Sequence, residues 1–124
     1  MRKIYGYSNT IDVRDCDATK FTRDNIEAFF IALCEAIDME RADLHFWGYD
    51  TQEEHDAAPP HLKGLSAVQF IMTSTVTIHT LDDLGAVFID LFSCKKYDPQ
   101  VAKKVVEEFF GGQARAFSLT PRWY

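Results

Sequence analysis

Hydrophobic residues recur at helical spacing in two segments of the chain. In the first segment the apolar positions follow i, i+3, i+4, i+7 and i+11, and they are Ile26, Phe29, Phe30, Leu33 and Ile37. This spacing places them on one face of an α-helix, so the pattern predicts a helix that buries this face. Thr22 is the predicted N-cap, and Asp24 complements the helix dipole in the first turn.

The second helical segment begins at Asp98-Pro99, where a capping side chain precedes a proline at the first helical position. The buried residues predicted for this helix are Val101, Val105 and Phe109. Two glycines, Gly111 and Gly112, follow and predict its end, since glycine readily adopts the left-handed conformation that closes a helix.

Between and around these helices, β-branched and alternating segments predict six strands. The strands cover residues 3–14, 42–49, 65–72, 75–80, 85–93 and 113–120. The stretch 50–64, DTQEEHDAAPPHLKG, is polar and contains two prolines, which predicts a surface loop without regular structure.

This order of elements predicts the fold. Strands joined by short turns pair antiparallel, and two amphipathic helices need a sheet to cover their apolar faces. The expected fold is therefore α+β, a two-layer sandwich in which both helices pack on one face of an antiparallel sheet, in a single domain over residues 1–124. Aromatic residues make up 14% of the chain, so we expect a second copy to cover the other face, giving a homodimer.

Charge and composition exclude several classes of function. The chain of 124 residues is 47% hydrophobic and carries a net charge of −6, with no dense run of Lys or Arg. Nucleic-acid binding depends on clustered cations, so no nucleic-acid partner is expected. No apolar run approaches the roughly 20 residues of a membrane helix, and the start, MRKIYGYSNTIDV, lacks the apolar core of a signal peptide. We expect a cytoplasmic protein without a membrane partner.

The cysteines and histidines give no metal-binding pattern. They are widely spaced and contain no Cys-x-x-Cys pair, and their positions are Cys16, Cys34, Cys94, His45, His55, His61 and His79. An odd number of dispersed thiols is also a poor disulfide framework. No metal site is expected.

The segment 71–80, IMTSTVTIHT, combines hydroxyl groups with a histidine. In an unbroken strand, Ser74 and His79 would lie on opposite faces and about 16 Å apart. An ordinary sheet with a threonine-lined solvent face accounts for the composition alone. A functional interpretation requires the chain to turn at or near Ser74.

Residues 64–94 resemble the core of the small prokaryotic S-adenosylmethionine decarboxylases, whose pattern is G-x-S-A-V, Glu-Ser-His, I-x-I-H-T-W-P-E and G-x-A-x-x-D-x-F-T-C. The matching positions are Gly64, Ser66, Ala67, Val68, Ser74, Ile78, His79, Thr80, Gly85, Asp90, Phe92 and Cys94. Outside this core, residues 10–17 resemble the family's first strand and residues 98–110 its second helix. The resemblance covers nearly the whole chain, with an extended loop around residues 50–63.

The resemblance implies a proenzyme that makes its own cofactor. Ser74 would attack the carbonyl of Thr73, and β-elimination would then cut the chain and leave a pyruvoyl group derived from Ser74. The matched positions imply that Ser66 stabilises the oxyanion and that His79 removes the α-proton. The pyruvoyl group would accept electrons as S-adenosylmethionine loses CO2, in spermidine biosynthesis, and Cys94 would return a proton to the substrate. Under these roles, Cys94→Ala should leave cleavage largely intact.

The chain departs from the family pattern around the reaction centre. Thr73 stands where the family has Glu, and Thr75 stands where it has His. The segment Leu81-Asp82-Asp83 replaces Trp-Pro-Glu, so Asp83 is the residue implied to hold the ribose of the substrate. Tyr49 is the candidate aromatic residue against the adenine.

These departures leave alternatives to the leading interpretation. A related decarboxylase could act on arginine or ornithine, because the nucleoside-binding residues differ from the pattern. A homologue that neither matures nor catalyses could bind a ligand or regulate an active partner subunit. A plain dimerisation domain would explain the hydroxyl run but not the register of Ser74, His79 and Cys94.

Overall fold

The computed structural model describes residues 1–124 and contains six strands and three α-helices. In chain order these are β1 (Ile4–Arg14), α1 (Arg23–Ala36), β2 (Arg41–Trp47), α2 (Gln52–Ala57), β3 (Gly64–Ile71), β4 (Ser74–Leu81), β5 (Ala86–Ser93), α3 (Pro99–Phe110) and β6 (Gln113–Trp123). Short 3-10 turns lie at Ala18–Lys20 and Pro60–Leu62.

The strands form one antiparallel sheet in the order β2-β3-β4-β5-β1-β6. Helices α1 and α3 contact each other, and their buried side chains form one core with the sheet. The expected α+β two-layer sandwich is confirmed. Its two long helices leave the opposite face of the sheet, here called the open face, without a covering layer.

The core lies between the long helices and the helix-facing residues of the four central strands. All five residues of the predicted α1 stripe are buried there, along with Cys34. The Thr22 side chain accepts a hydrogen bond from the Asn25 amide, as predicted for an N-cap. None of the helices has the length and apolar content that a membrane crossing requires.

The predicted buried face of α3 is wrong by one residue. Helix α3 starts after the Asp98 cap and ends at Gly111, which has a φ of 72°, as expected. Its buried residues are Ala102, Val106 and Phe110, whereas Val101 is 37% exposed. Apolar residues occupy two adjacent rows of this helix at i, i+4 and i+8 spacing, so spacing alone could not decide which row faces the core. The row that the prediction did not choose ends in the fully buried Phe110.

The prediction that residues 50–64 have no regular structure is also wrong. Helix α2 starts at the N-cap Thr51, whose hydroxyl accepts a hydrogen bond from the Glu54 amide. None of the residues of α2 is buried, so the helix has no apolar stripe that a hydrophobic pattern could detect.

The last strand extends through Pro121 instead of ending before it. Pro121 pairs with Tyr7 on β1, and β6 is the outermost strand on that side of the sheet. A proline is tolerated there because one side of an edge strand needs no ladder hydrogen bonds.

A two-residue turn joins β3 to β4. Ile71 pairs directly with Ser74, so only Met72 and Thr73 lie in the turn. Thr73 has a φ of 59°, a left-handed conformation that is rare for a β-branched residue. Strain of this kind costs on the order of 1–3 kcal/mol and is concentrated at functional sites.

Burial predicts that two neighbouring residues of α1 contribute very different amounts to the free energy of unfolding. Phe30 is fully buried, so Phe30→Ala should lower the free energy of unfolding by about 3–5 kcal/mol. Ile31 is 39% exposed, and Ile31→Ala should cost less than about 1 kcal/mol. Urea denaturation measures both values, and equal losses would contradict the assigned orientation of α1.

The strained turn predicts that Thr73 tolerates glycine. The test uses a Ser74→Ala background, which removes the Ser74 hydroxyl. Thr73→Gly stabilises the folded state by relieving about 1–3 kcal/mol of strain, and it costs about 0.5–1 kcal/mol because glycine gives the unfolded chain more conformational entropy. The variant should therefore be at least as stable as its parent. Thr75→Gly, in the adjacent strand, relieves no strain and should lose about 1 kcal/mol. Similar losses for both variants in urea denaturation would contradict the strain at Thr73.

Candidate active site

The β3–β4 turn places Ser74 against Cys94. Ser74 opens β4 and is 6% exposed. Its Oγ accepts a hydrogen bond from the Cys94 amide at 3.2 Å and donates one to the Cys94 Sγ at 3.7 Å. The main chain and the thiol of Cys94 therefore hold the position and direction of the Ser74 hydroxyl.

Cys94 follows β5 directly and exposes its thiol beside the turn. The Thr73 Oγ1 lies 3.0 Å from the sulfur and also donates a hydrogen bond to the Met72 carbonyl at 2.7 Å. Hydrogen bonding with the Thr73 hydroxyl, and next with the Ser74 hydroxyl, holds the pKa of the Cys94 thiol below its ordinary value. A lowered pKa increases the thiolate fraction near neutral pH, so this sulfur is a suitable proton carrier.

A cavity of about 520 Å³ adjoins this group, which we call the turn cluster (Thr73, Ser74 and Cys94). Asp38, Glu40 and Lys95 supply the charged part of its lining. The Lys95 ammonium lies 2.9 Å from the Asp38 carboxylate and also bonds to the Asp38 carbonyl, so this cation is already paired. The cavity is large enough for a small polar ligand.

Ser66 and His79 form a second group on the open face. They are directly opposite each other on β3 and β4, and the Ser66 Oγ lies 2.7 Å from His79 Nδ1. This contact fixes the plane of the imidazole and leaves Nε2 free for another partner. We call these two residues the histidine cluster.

A cavity of about 290 Å³ lies against the histidine cluster, and Tyr49 is one of its lining residues. The Tyr49 hydroxyl donates to the Leu62 carbonyl at 2.6 Å, and its ring packs against Trp47 with centroids 5.1 Å apart. His61, from the segment between β2 and β3, also lines this cavity. Aromatic walls of this kind suit a planar ring in the ligand.

Asp83 forms an ion pair instead of lining this cavity. Its carboxylate lies 3.2 Å from the Lys63 ammonium. The neighbouring Asp82 lies 2.8 Å from His55 Nε2, which ties helix α2 to the end of β4. Partial burial raises the pKa of Asp82, and the attraction of His55 offsets part of that shift. Sequence analysis missed this His55–Asp82 contact because nothing in the local pattern links the two segments.

The structure does not bring Ser74, His79 and Cys94 together within a single chain. The chain does reverse beside Ser74, but beyond that turn β4 continues to Leu81 without a register shift in its pairing. Ser74 begins the helix-facing row of β4, whereas His79 lies on the open face, five residues or about 16 Å away. The turn brings Ser74 to Cys94 and leaves His79 with Ser66.

Other side chains add no metal site to this picture. No three His, Cys, Asp or Glu side chains are grouped as metal ligands would be. The candidate site consists of a buried hydroxyl against a thiol, and an imidazole against a second hydroxyl.

Comparison with known proteins agrees with the resemblance seen in the core. The family model described as S-adenosylmethionine decarboxylase matches residues 8–122. An S-adenosylmethionine decarboxylase proenzyme of Geobacillus kaustophilus is 37% identical over 68 residues, which are 55% of this chain and 52% of the relative. The corresponding proenzyme of Anoxybacillus flavithermus is 35% identical over 68 residues, with the same coverage. The chain thus spans about half the length of the curated relatives it matches.

A solved structure shares the fold. The adenosylmethionine decarboxylase of Aquifex aeolicus superposes with a TM-score of 0.68 over 98% of this chain and 90% of its own, at 16% identity. This likeness concerns the arrangement of strands and helices. Because the family model covers almost the whole sequence, from residue 8 to residue 122, the chain belongs to the S-adenosylmethionine decarboxylase family.

Proposed function

We propose that the chain is a proenzyme that cleaves itself between Thr73 and Ser74 and then decarboxylates S-adenosylmethionine. One observation carries this proposal: the Ser74 hydroxyl is held against Cys94 immediately after a strained residue. The bond to be cut lies at a hairpin turn, and Thr73 is exposed. Strain in the turn would be released when the Thr73–Ser74 peptide breaks.

The residues fit a pyruvoyl group made from Ser74. After cleavage, this position would be the amino terminus of the second fragment, beside the thiol of Cys94 and the cavity next to the turn. A pyruvoyl group supplies an electron sink for the carboxylate electrons of an amino-acid substrate. Cys94 would hold the proton that the substrate carbon takes up after CO2 leaves, since its thiol is exposed beside this position.

His79 is the proposed base that removes the Ser74 α-proton, and Ser66 orients its imidazole. Within one chain, however, the histidine cluster lies about 16 Å from the turn cluster. A second copy would resolve this separation. In the proposed dimer, the open faces of two copies pack against each other. The two-fold axis lies between these faces, runs perpendicular to the strands and passes above Thr77, so the strands of the two copies run in opposite directions.

The spacing along β4 suits such an axis. Thr77 pairs with Asp90 at the middle of the open face. His79 lies about 7 Å from Thr77 in one direction and Ser74 about 10 Å in the other, at 3.3 Å per residue. The two-fold operation would therefore place His79 of one copy over Thr75 of the other, one residue from Ser74, whose side chain lies on the helix-facing side of β4. Facing sheets pack about 10 Å apart, a distance that side chains from both sheets fill.

The composition of the open face supports this homodimer. Trp47 is 57% exposed and Phe70 is 44% exposed. Phe70 is directly opposite Thr75 and Trp47 is directly opposite Ser66, so both aromatic side chains belong to the open face. Large apolar side chains at a solvent-facing sheet surface are typical of protein interfaces.

The cavity beside the histidine cluster is the proposed site for the nucleoside part of the substrate. Tyr49 lines this cavity and offers a ring for the adenine. Asp83 lies outside the lining, paired with Lys63, and would supply a carboxylate for the ribose hydroxyls after turning toward the cavity. The Lys63–Asp83 ion pair would open when the ribose binds, because one carboxylate oxygen must turn toward the hydroxyls. Breaking this ion pair makes the free energy of substrate binding less favourable.

The substitutions at Thr73 and Thr75 favour one second candidate, a homologue that stays uncleaved and serves as a ligand-binding or regulatory subunit. The family's Glu and His at these positions flank the nucleophile directly, so their replacement falls on the cleavage site itself. The mass of the purified chain separates the two functions, because only the proenzyme yields two fragments.

Self-cleavage predicts two fragments, residues 1–73 and residues 74–124 with a pyruvoyl-blocked amino terminus. Intact-mass measurement of the purified chain should show both, and Ser74→Ala should give only the full-length mass, because it removes the attacking oxygen. Thr19→Ala, which removes an exposed hydroxyl from the turn at Ala18–Lys20, should cleave like the unmodified chain. A chain that stays whole after prolonged incubation would support the uncleaved homologue. If cleavage occurs, release of labelled CO2 from S-adenosylmethionine, arginine or ornithine identifies the substrate.

The composite site predicts complementation between two inactive variants. Ser74→Ala and His79→Ala should each be inactive alone. When they are co-expressed, half of the dimers are mixed and each holds one intact site, so about a quarter of the sites should cleave and turn over. The readouts are the fraction of cleaved chain and CO2 release. If every group acts within its own chain, the mixture stays inactive.

A further inference from the structure

Self-cleavage requires a group that removes the proton of the Ser74 hydroxyl. Two atoms lie within hydrogen-bond reach of its Oγ, the Cys94 amide nitrogen at 3.2 Å and the Cys94 Sγ at 3.7 Å. The amide is a donor and occupies a lone pair of the oxygen. The hydroxyl proton is therefore directed at the sulfur, and this distance is normal for a hydrogen bond to sulfur.

We infer that Cys94 is the proton acceptor for Ser74 during self-cleavage, in addition to any part it takes in decarboxylation. This inference rests on the proposed function and assigns the first step of maturation to a group of the same chain. It differs from the expectation drawn from the sequence, which gave Cys94 no part in cleavage.

The step balances as an internal proton shuttle. The Cys94 thiolate takes the proton from Ser74 Oγ, and the oxygen forms a bond to the carbonyl carbon of Thr73. The bond from that carbon to the Ser74 nitrogen then breaks, and the Cys94 thiol returns the proton to this nitrogen. The products are an ester between Thr73 and Ser74 and a free amine, with no external reactant.

No other titratable group of the chain contacts the Ser74 hydroxyl. Asp38 and Glu40 line the same cavity but form no hydrogen bond with it. Lys95 is paired with Asp38, and Tyr5 approaches Cys94 from β1. His79 of the same chain lies on the open face, about 16 Å along β4.

Thr73 acts as a positioning residue for the thiolate. Its Oγ1 lies 3.0 Å from the sulfur, so its hydrogen, which the Met72 carbonyl accepts at 2.7 Å, can turn to a thiolate at this distance. A carboxylate at this position, as in the family pattern, would instead repel the thiolate and favour its protonated form. The neutral threonine is therefore compatible with a sulfur that accepts a proton.

Hydroxylamine isolates this step, because it cleaves the Thr73–Ser74 ester without any β-elimination. The experiment follows the full-length chain from synthesis in a cell-free reaction and measures its hydroxylamine-dependent cleavage rate by mass. Cys94→Ala should lower the rate by about 100-fold or more, the usual contribution of a general base. Cys94→Ser keeps the size of the side chain and should be slowed similarly, since a hydroxyl is a far weaker base.

Cys16→Ala is the matched control. Cys16 is a half-buried thiol outside the site, and burial together with the Asp15 carboxylate raises its pKa to about 11. This variant should cleave at the rate of the unmodified chain.

The pH dependence distinguishes a proton acceptor from a structural residue. The rate for the unmodified chain should rise with pH and level off above the pKa of Cys94. That pKa is measured independently from the alkylation rate of Cys94 in the Ser74→Ala variant. Thr73→Glu should raise the alkylation midpoint and shift the cleavage profile upward by the same amount.

The cleavage rates and the pH profile test the role of Cys94 separately from self-cleavage itself. Cleavage of Cys94→Ala within about twofold of the unmodified chain overturns the role of Cys94 and leaves self-cleavage intact. A pH profile that does not follow the alkylation midpoint overturns it as well. If the unmodified chain forms neither ester nor fragments, the proposed function fails together with this inference.

Discussion

The straight course of strand β4 determines which side chains can meet within one chain. Ser74 and His79 lie on the same strand, separated by five residues and by the two faces of the sheet. A strand cannot bring such residues together, because its rise of about 3.3 Å per residue is fixed by backbone geometry. The hydrogen bonds to β3 and β5 on both sides keep β4 from bending. Within one chain, the side chains of Ser74 and His79 therefore cannot act on the same atom, and this is the reason for proposing a site made from two copies.

The turn before β4 makes one half of the proposed site rigid. Thr73 is held in a left-handed conformation between two paired strands, and Ser74 is fixed by the Cys94 amide and thiol. Short turns between well-paired strands position side chains better than long loops do. The other half lies beside a longer segment, which the His55–Asp82 contact ties to the end of β4.

Sequence reasoning succeeded where local physics decides the structure. The stripe on α1 and the caps at Thr22 and Asp98 follow from spacing and side-chain chemistry, and all three are as expected. It failed where tertiary contacts decide: the buried row of α3 ends in Phe110 instead of Phe109, and α2 forms without any apolar face. The spacing of Ser74, His79 and Cys94 identified the family, but spacing carries no information about which chain supplies each residue.

The most direct test of this account is a crystal structure of the Ser74→Ala chain, which cannot cleave. The account predicts a two-fold dimer in which Cys94 Sγ lies within about 10 Å of His79 of the partner subunit, since facing sheets pack at that spacing. A monomer would contradict the account. So would a dimer that leaves this distance above about 16 Å, the separation along β4 within one chain.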